Sequence, residues 1–370
     1  MKLKADRTIL LKALAHIQSV AEKRNTIPIL ANVLIQVEDG KLTLTATDME
    51  IAVVEAVEAE LIENGSVTAP ASVLYEIVRK LPDEAQIELS QSSNTMPLAL
   101  QAGRYATSLN VLNVDEFPSM TAGELPHHFS IATDTLRKLI EQTRFAISTE
   151  ETRYYLNGIY LHIAEGKLRA VATDGHRLAR VETEAPKGGE NITGIIIPRK
   201  TIYELYKLLE EAGDTVEILL SDTRIQFNVG NVTLTSKLID GTFPEYERVI
   251  PKGNDKVLRV GKQDFANAVA RVAAISQERS RPVKLALDQN SLTLSASSVD
   301  QGTAKEELDE TQVEYQSSPL EIGFQARYLN DITDQIDNQV EFVFADNAAP
   351  TIVRDVDDPS ALYVLMPMRV

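Results

Sequence analysis

The chain repeats its own plan three times at a spacing of about 125 residues, and a repeat that long is a domain and not a unit of a solenoid. The first copy opens with helical spacing at Leu10, Leu14 and Ile17. It continues with an alternating strand at Val33, Ile35 and Val37, a turn at Asp39-Gly40, a second strand at Leu42, Leu44 and Ala46, and then Ala46-Thr47-Asp48. The second copy has Leu136, Leu139 and Ile140, then Ile159, Leu161 and Ile163, a turn at Glu165-Gly166, then Leu168, Ala170 and Ala172-Thr173-Asp174. Asp174 lies 126 residues after Asp48. The third has Phe265, Val269 and Val272, then Val283, Leu285 and Leu287, a turn at Gln289-Asn290, then Leu292, Leu294 and Ala296. A second helix follows in each copy, on Leu74, Ile77, Val78 and Leu81, on Ile202, Leu205, Leu208 and Leu209, and on Leu329, Ile332 and Ile336. The closing loops Phe117-Pro118 and Phe243-Pro244 again lie 126 residues apart.

These patterns predict an α+β protein of three alike domains, each laying two helices on antiparallel sheet. The expected boundaries are 1–121, 127–250 and 251–370, with linkers near Thr121 to His127 and Ile250 to Asp255, where Pro and Gly interrupt the pattern. With 370 residues, several domains are also the expectation from size. No stretch approaches the roughly 20 apolar residues of a membrane span, and the opening MKLKADRTIL has no signal-peptide core, so a cytoplasmic protein is expected.

The chain has no cysteine, which removes disulfides, thiolate metal sites and cysteine nucleophiles, and its five histidines show no metal-ligand spacing. A hydrolase using Asp48, Asp174 and Asp222 with a metal is the competing reading. Against it, Asp48 and Asp174 are equivalent positions of different domains. The pairing of Asp174 with His176 lacks the third group that would orient a base, and Asp174-Gly175 reads more simply as a turn. A purely structural repeat protein or adhesion module, whose acidic composition would suit an extracellular surface, is the other alternative. No catalysis, metal or cofactor is expected.

The net charge of −17 argues against a nucleic-acid partner only until its distribution is considered. The six helical segments together carry +8, which leaves −25 for the remainder. If the helices share a face, that face attracts phosphate.

Over its whole length the sequence resembles the bacterial sliding clamps, the beta subunits of the replicative DNA polymerase. The strings that carry the resemblance are Arg153-Tyr154-Tyr155-Leu156-Asn157-Gly158, Ala172-Thr173-Asp174-Gly175-His176-Arg177-Leu178-Ala179, Pro198-Arg199-Lys200, Phe243-Pro244-Glu245-Tyr246 and Val364-Leu365-Met366-Pro367-Met368-Arg369. The resemblance implies a head-to-tail homodimer forming a six-domain ring around double-stranded DNA, helices inside. It also implies a hydrophobic pocket that receives short linear motifs of the replicative polymerase, the clamp loader, translesion and repair polymerases, and mismatch repair and ligase proteins. By resemblance the pocket is lined by Leu156, Thr173, Gly175, His176, Arg177, Leu178, Pro244, Arg248, Val249, Val364, Met366, Pro367 and Met368. DNA contacts fall to Arg24, Arg153, Tyr154, Tyr155, Lys200 and Arg279. The subunit contact involves Arg104, Leu109, Ile275, Glu306 and Glu307. Departures from the family pattern stand at Thr107, where an aromatic is familiar, at Ala348 and Pro350 beside the pocket, and at Pro70-Ala71-Ser72-Val73, where an Arg-Lys pair is often found.

Overall fold

A computed structural model of the chain describes residues 1–21, 26–93, 95–120, 123–190, 192–276 and 282–369. The first repeat holds β1 (Lys2–Asp6), α1 (Arg7–Gln18), β2 (Asn32–Glu38), β3 (Lys41–Thr47), β4 (Ile51–Val57), β5 (Glu60–Glu63), β6 (Gly65–Pro70), α2 (Ala71–Lys80), β7 (Gln86–Ser90), β8 (Leu98–Ala102) and β9 (Tyr105–Leu109). The second holds β10 (His127–Ala132), α3 (Thr133–Arg144), β11 (Gly158–Ala164), β12 (Lys167–Thr173), β13 (Arg177–Glu184), β14 (Ile195–Pro198), α4 (Arg199–Leu209), β15 (Thr215–Leu220), β16 (Arg224–Val229) and β17 (Val232–Lys237). The third holds β18 (Lys256–Gly261), α5 (Lys262–Ala273), β19 (Pro282–Asp288), β20 (Ser291–Ser298), β21 (Gly302–Leu308), β22 (Val313–Tyr315), β23 (Leu320–Gln325), α6 (Ala326–Thr333), β24 (Gln339–Phe344), β25 (Thr351–Asp355) and β26 (Ala361–Leu365).

The repeated hairpins form for a local reason. Asp39 and Gly40 both take positive φ, at 50° and 74°, and Glu165 and Gly166 do the same at 54° and 76°. Two such residues between strands make the turn whose twist matches that of the flanking strands. In the third copy Asn290 has a φ of 50° between β19 and β20. The apolar positions picked out by periodicity form the core: Leu10, Leu14 and Ile17 of α1, Leu329 and Ile332 of α6, and the inward residues of β2, β3, β19 and β20 are all buried. Each such leucine or isoleucine contributes about 1.5–3 kcal/mol by leaving water.

All strand pairings among the described residues are antiparallel, and two of the four sheets run across a repeat boundary. The chain packs as two compact units, and the middle repeat is divided between them. One unit comprises Met1–Arg137, Pro186–Ile192 and Lys200–Ile239. It contains a five-stranded sheet, β5-β1-β7-β8-β9, and an eight-stranded sheet, β10-β15-β16-β17-β4-β3-β2-β6. The other comprises Lys138–Ala185, Thr193–Arg199 and Asp240–Val370, with a nine-stranded sheet, β14-β11-β12-β13-β26-β25-β24-β18-β22, and a four-stranded sheet, β21-β20-β19-β23. In the eight-stranded sheet β4 of the first repeat pairs with β17 of the second, Ile51 opposite Ser236 and Glu55 opposite Val232. In the nine-stranded sheet β13 of the second repeat pairs with β26 of the third, Arg177 opposite Leu365 and Val181 opposite Ala361. Both joints use the strand that follows the Thr-Asp turn of one repeat and the last strand of the next. The compact units therefore do not coincide with the repeats, because backbone hydrogen bonding carries the eight-stranded and nine-stranded sheets from one repeat into the next.

Candidate functional site

The Thr-Asp turns are built twice with the same bonds. The Asp48 N–H donates to the Ile51 carbonyl at 3.2 Å, and the Asp174 N–H to that of Arg177 at 3.4 Å. The hydroxyls of Thr47 and Thr173 each donate to those same carbonyls at 2.7 Å. Asp48 Oδ1 accepts from the N–H groups of Glu50 and Ile51, both at 2.8 Å, and Asp174 Oδ1 from those of His176 and Arg177 at 2.9 and 3.0 Å. The residue after each aspartate is left-handed, Met49 at φ 74° and Gly175 at φ 87°. These carboxylates close turns, which is the structural use that Asx residues serve elsewhere. Among the described residues no group of three or more His, Asp or Glu is arranged to hold a metal ion.

The second oxygens diverge. Asp48 Oδ2 takes the ammonium of Lys200, whereas Asp174 Oδ2 takes Arg177 Nε at 3.2 Å. Arg177 is buried, with 4% of its side chain exposed. Its other donors go to Asp331 of α6 and, at 2.6 Å, to the carbonyl of Phe145. Its guanidinium lies between two rings, 4.5 Å from the centroid of Tyr328 and 5.1 Å from that of Phe145. A planar cation suits this position because its fork matches carboxylates and its face stacks on rings. Tyr328 in turn stacks on His176, centroids 6.2 Å apart. His176 is exposed, and its carbonyl accepts from the N–H of Met366 at 2.9 Å, tying the C-terminal segment to the turn.

The residues expected to line a pocket all fall within one compact unit. Thr173, Leu178 and Val364 form a cross-strand row on one side of the nine-stranded sheet. Leu178, Val364 and Leu156 are buried. Of the others, Gly175, His176, Pro244 and Arg248 are exposed, as are Val249 at 51% and Met366 at 41%. Pro367 and Met368 are half-buried, and the Met368 N–H donates to the Gly323 carbonyl at 2.9 Å. Arg177 belongs to this set as a buried brace. Tyr328 and Phe145, which the sequence reading does not single out, join Arg177 through their rings.

Of the DNA candidates, Arg24 and Arg279 lie outside the described residues. Tyr154 is 53% exposed and meets Tyr155 edge-on, centroids 5.7 Å apart. Arg153 pairs with Glu150 at 2.6 Å and packs on the turn, where a Cβ on Gly175 would stand 2.6 Å from its guanidinium. At φ 87° glycine is free of the strain a side chain would bear, although Met49 takes the equivalent position at φ 74°. Lys200 is held by Asp48.

Of the subunit candidates, Leu109 is on β9 and Glu306 and Glu307 are on β21, and both strands are sheet edges. Arg104 and Glu307 are exposed, while Glu306 is bonded within its own chain by Arg271, Nε at 2.8 Å. Ile275 is half-buried just past α5.

Three alike α+β repeats joined through their sheets, with the carboxylates of Asp48 and Asp174 closing equivalent turns, have the architecture of a DNA clamp. Models of the DNA polymerase III beta subunit match the N-terminal domain at residues 1–121, the central domain at 130–245 and the C-terminal domain at 247–369. The chain is 51% identical to the beta sliding clamp of Caulobacter vibrioides over 375 residues, covering all of both chains, and 40% identical to that of Pseudomonas aeruginosa over 365 residues, covering 98% of each. A crystal structure of the Caulobacter crescentus clamp with polyethylene glycol in its motif-tethering region superposes at a TM-score of 0.96 with 51% identity, covering 100% of this chain and 99% of that one. A Bartonella birtlesii clamp bound to griselimycin gives 0.96 with 47% identity, covering all of both chains. The chain belongs to the DNA polymerase III beta subunit family, the beta sliding clamps, which are accessory processivity factors and not catalysts.

Proposed function

We propose that two copies of this chain close head to tail into a ring around duplex DNA and hold the replicative polymerase there. The observation that carries this is a missing joint. Two of the three strands that follow the second hairpin of a repeat, β4 and β13, pair with the last strands of the next repeat, β17 and β26. The third such strand, β21, and the last strand of the first repeat, β9, remain edges. A β21 edge of one copy meeting a β9 edge of another makes the same joint a third time, and a contact between two different patches closes when the rotation does. Arg104, Leu109, Ile275, Glu306 and Glu307 fall at or beside those edges.

DNA in such a ring is held topologically. Tyr154, Tyr155, Lys200, Arg24 and Arg279 supply weak contacts to backbone without reading bases. The turn and C-terminal segment form the docking groove, where a peptide of glutamine followed by large apolar residues fills the floor of Leu156, Leu178 and Val364. Partners of this kind are the clamp loader, translesion and repair polymerases, and mismatch repair and ligase proteins. The protein works in the cytoplasm, beside the DNA it serves. Light scattering should give twice 40.8 kDa. Retention on nicked circular DNA should vanish when the circle is cut to a linear form. A monomer, or equal retention on both forms, overturns the ring.

A further inference from the structure

Beside the proposed docking groove lies a cavity of about 740 Å³ in the same compact unit. Its size is that of a ligand pocket. Three rings stand in a ladder along it: His162 and Tyr160, centroids 4.7 Å apart, then Tyr160 and Phe243, 4.8 Å apart and nearly parallel at 6°. Tyr246 meets Phe243 edge-on, and its hydroxyl lies 3.0 Å from His162 Nε2. Burial, and after it the charge of Arg169, lower the pKa of His162, so the ladder presents a neutral imidazole.

Two relations connect this cavity to the groove. Pro244 and Arg248, expected in the groove, also line the cavity. Tyr160 is opposite Val171, which shares a side of β12 with Thr173, the first member of the groove's row. One step of two residues along a strand, about 7 Å, separates the two floors. The charges at the rim are unequal in availability. Glu247 is taken by Arg169 at 2.7 Å and Glu245 by Arg248. Lys252 has no ion-pair partner among the described residues. The rim therefore offers one unanswered positive charge beside a wall of aromatic rings and prolines.

We propose that this cavity is a further subsite of the docking groove, taking an aromatic side chain with a neighbouring carboxylate from the partner peptide next to its core motif. Ring-on-ring packing suits the aromatic wall, and the carboxylate answers Lys252. The proposal rests on the reading of the groove given above. The occupant is a stretch of the same peptide because Pro244 and Arg248 border both sites.

Three labelled peptides test it by fluorescence anisotropy on the full dimeric protein. One is a core peptide of glutamine followed by apolar residues, and the others extend it by four residues containing Trp and Asp, at one end or the other. One extension should bind at least fivefold more tightly than the core. Tyr160→Ala and, separately, the surface change Lys252→Glu should erase that gain while leaving core affinity within twofold. No gain from either extension, or a gain that survives both changes, overturns the subsite alone. If the core peptide fails to bind the intact protein, the groove itself is misplaced and the subsite falls with it.

Discussion

The guanidinium of Arg177 lies 4.5 Å from the ring centroid of Tyr328, so a strand of the central repeat and a helix of the last are pinned by one cation. Asp174 and Asp331 both direct a carboxylate at it. Arg177→Leu leaves Asp174 without its counter-charge and Asp331 with Arg327 alone, 3.5 Å away, and breaking a buried pair in this way costs about 3–5 kcal/mol. A lower urea midpoint is expected, with weaker binding of the core peptide because His176 loses the stacked support of Tyr328. Arg177→Lys keeps the charge but not the fork and should fall between the two.

The subunit joint is open to a charge exchange. Arg104→Glu should raise the dimer dissociation constant several-fold, in line with about 0.2–1 kcal/mol for an exposed pair. Adding Glu307→Arg to the same chain should restore it, because each copy carries both edges. Glu306 is the poorer choice, since its hydrogen bond from Arg271 already holds its carboxyl below the usual range. Sedimentation at low and high salt reads this directly. If the double change is no tighter than Arg104→Glu, the two residues do not meet.

Removing residues 366–370 deletes the N–H groups of Met366 and Met368 that bond His176 and Gly323, both at 2.9 Å. Core-peptide affinity should fall beyond detection at concentrations where the intact protein binds in the micromolar range. The dimer should persist, because β9 and β21 lie elsewhere in the chain. Anisotropy and light scattering on the same sample separate the two effects.

His162 gives a defined pH response. Burial first, and Arg169 second, depress its folded pKa below the ordinary value of 6.5. The unfolded chain then binds more protons than the folded one between that lower value and 6.5, so stability falls as pH falls through this window and levels off below it. His162→Gln should flatten this part of the profile, measured as urea midpoint between pH 7.5 and 5.

Much of the fold is legible in the sequence because the features that specify it are local. The two-residue turns at Asp39-Gly40 and Glu165-Gly166 and the apolar alternation beside them belong to short windows. The sheet joints are not legible in that way. β4 finds β17 through backbone groups that every residue carries, across some 180 positions, and no spacing marks the partner. The site divides similarly. Thr173, Leu178 and Val364 were recoverable from the family strings, and the register sets them in one row. Tyr328 was not, because at helical spacing it reads as an ordinary amphipathic position until His176 and Arg177 are seen against it. Lys200 and Arg153 read as free cations in sequence, whereas Asp48 and Glu150 already neutralise them.

The two edges proposed to meet across the subunit joint differ in composition. β21 runs Gly302-Thr303-Ala304-Lys305-Glu306-Glu307-Leu308, and β9 runs Tyr105-Ala106-Thr107-Ser108-Leu109 without a charge. The three charged side chains of β21 discourage chance pairing along that edge. Nothing comparable guards β9, which is the type of bare, uncharged border on which unrelated strands accrete. Dilution below the dimer dissociation constant should therefore bring slow precipitation nucleated at β9, and stocks kept concentrated should outlast dilute ones.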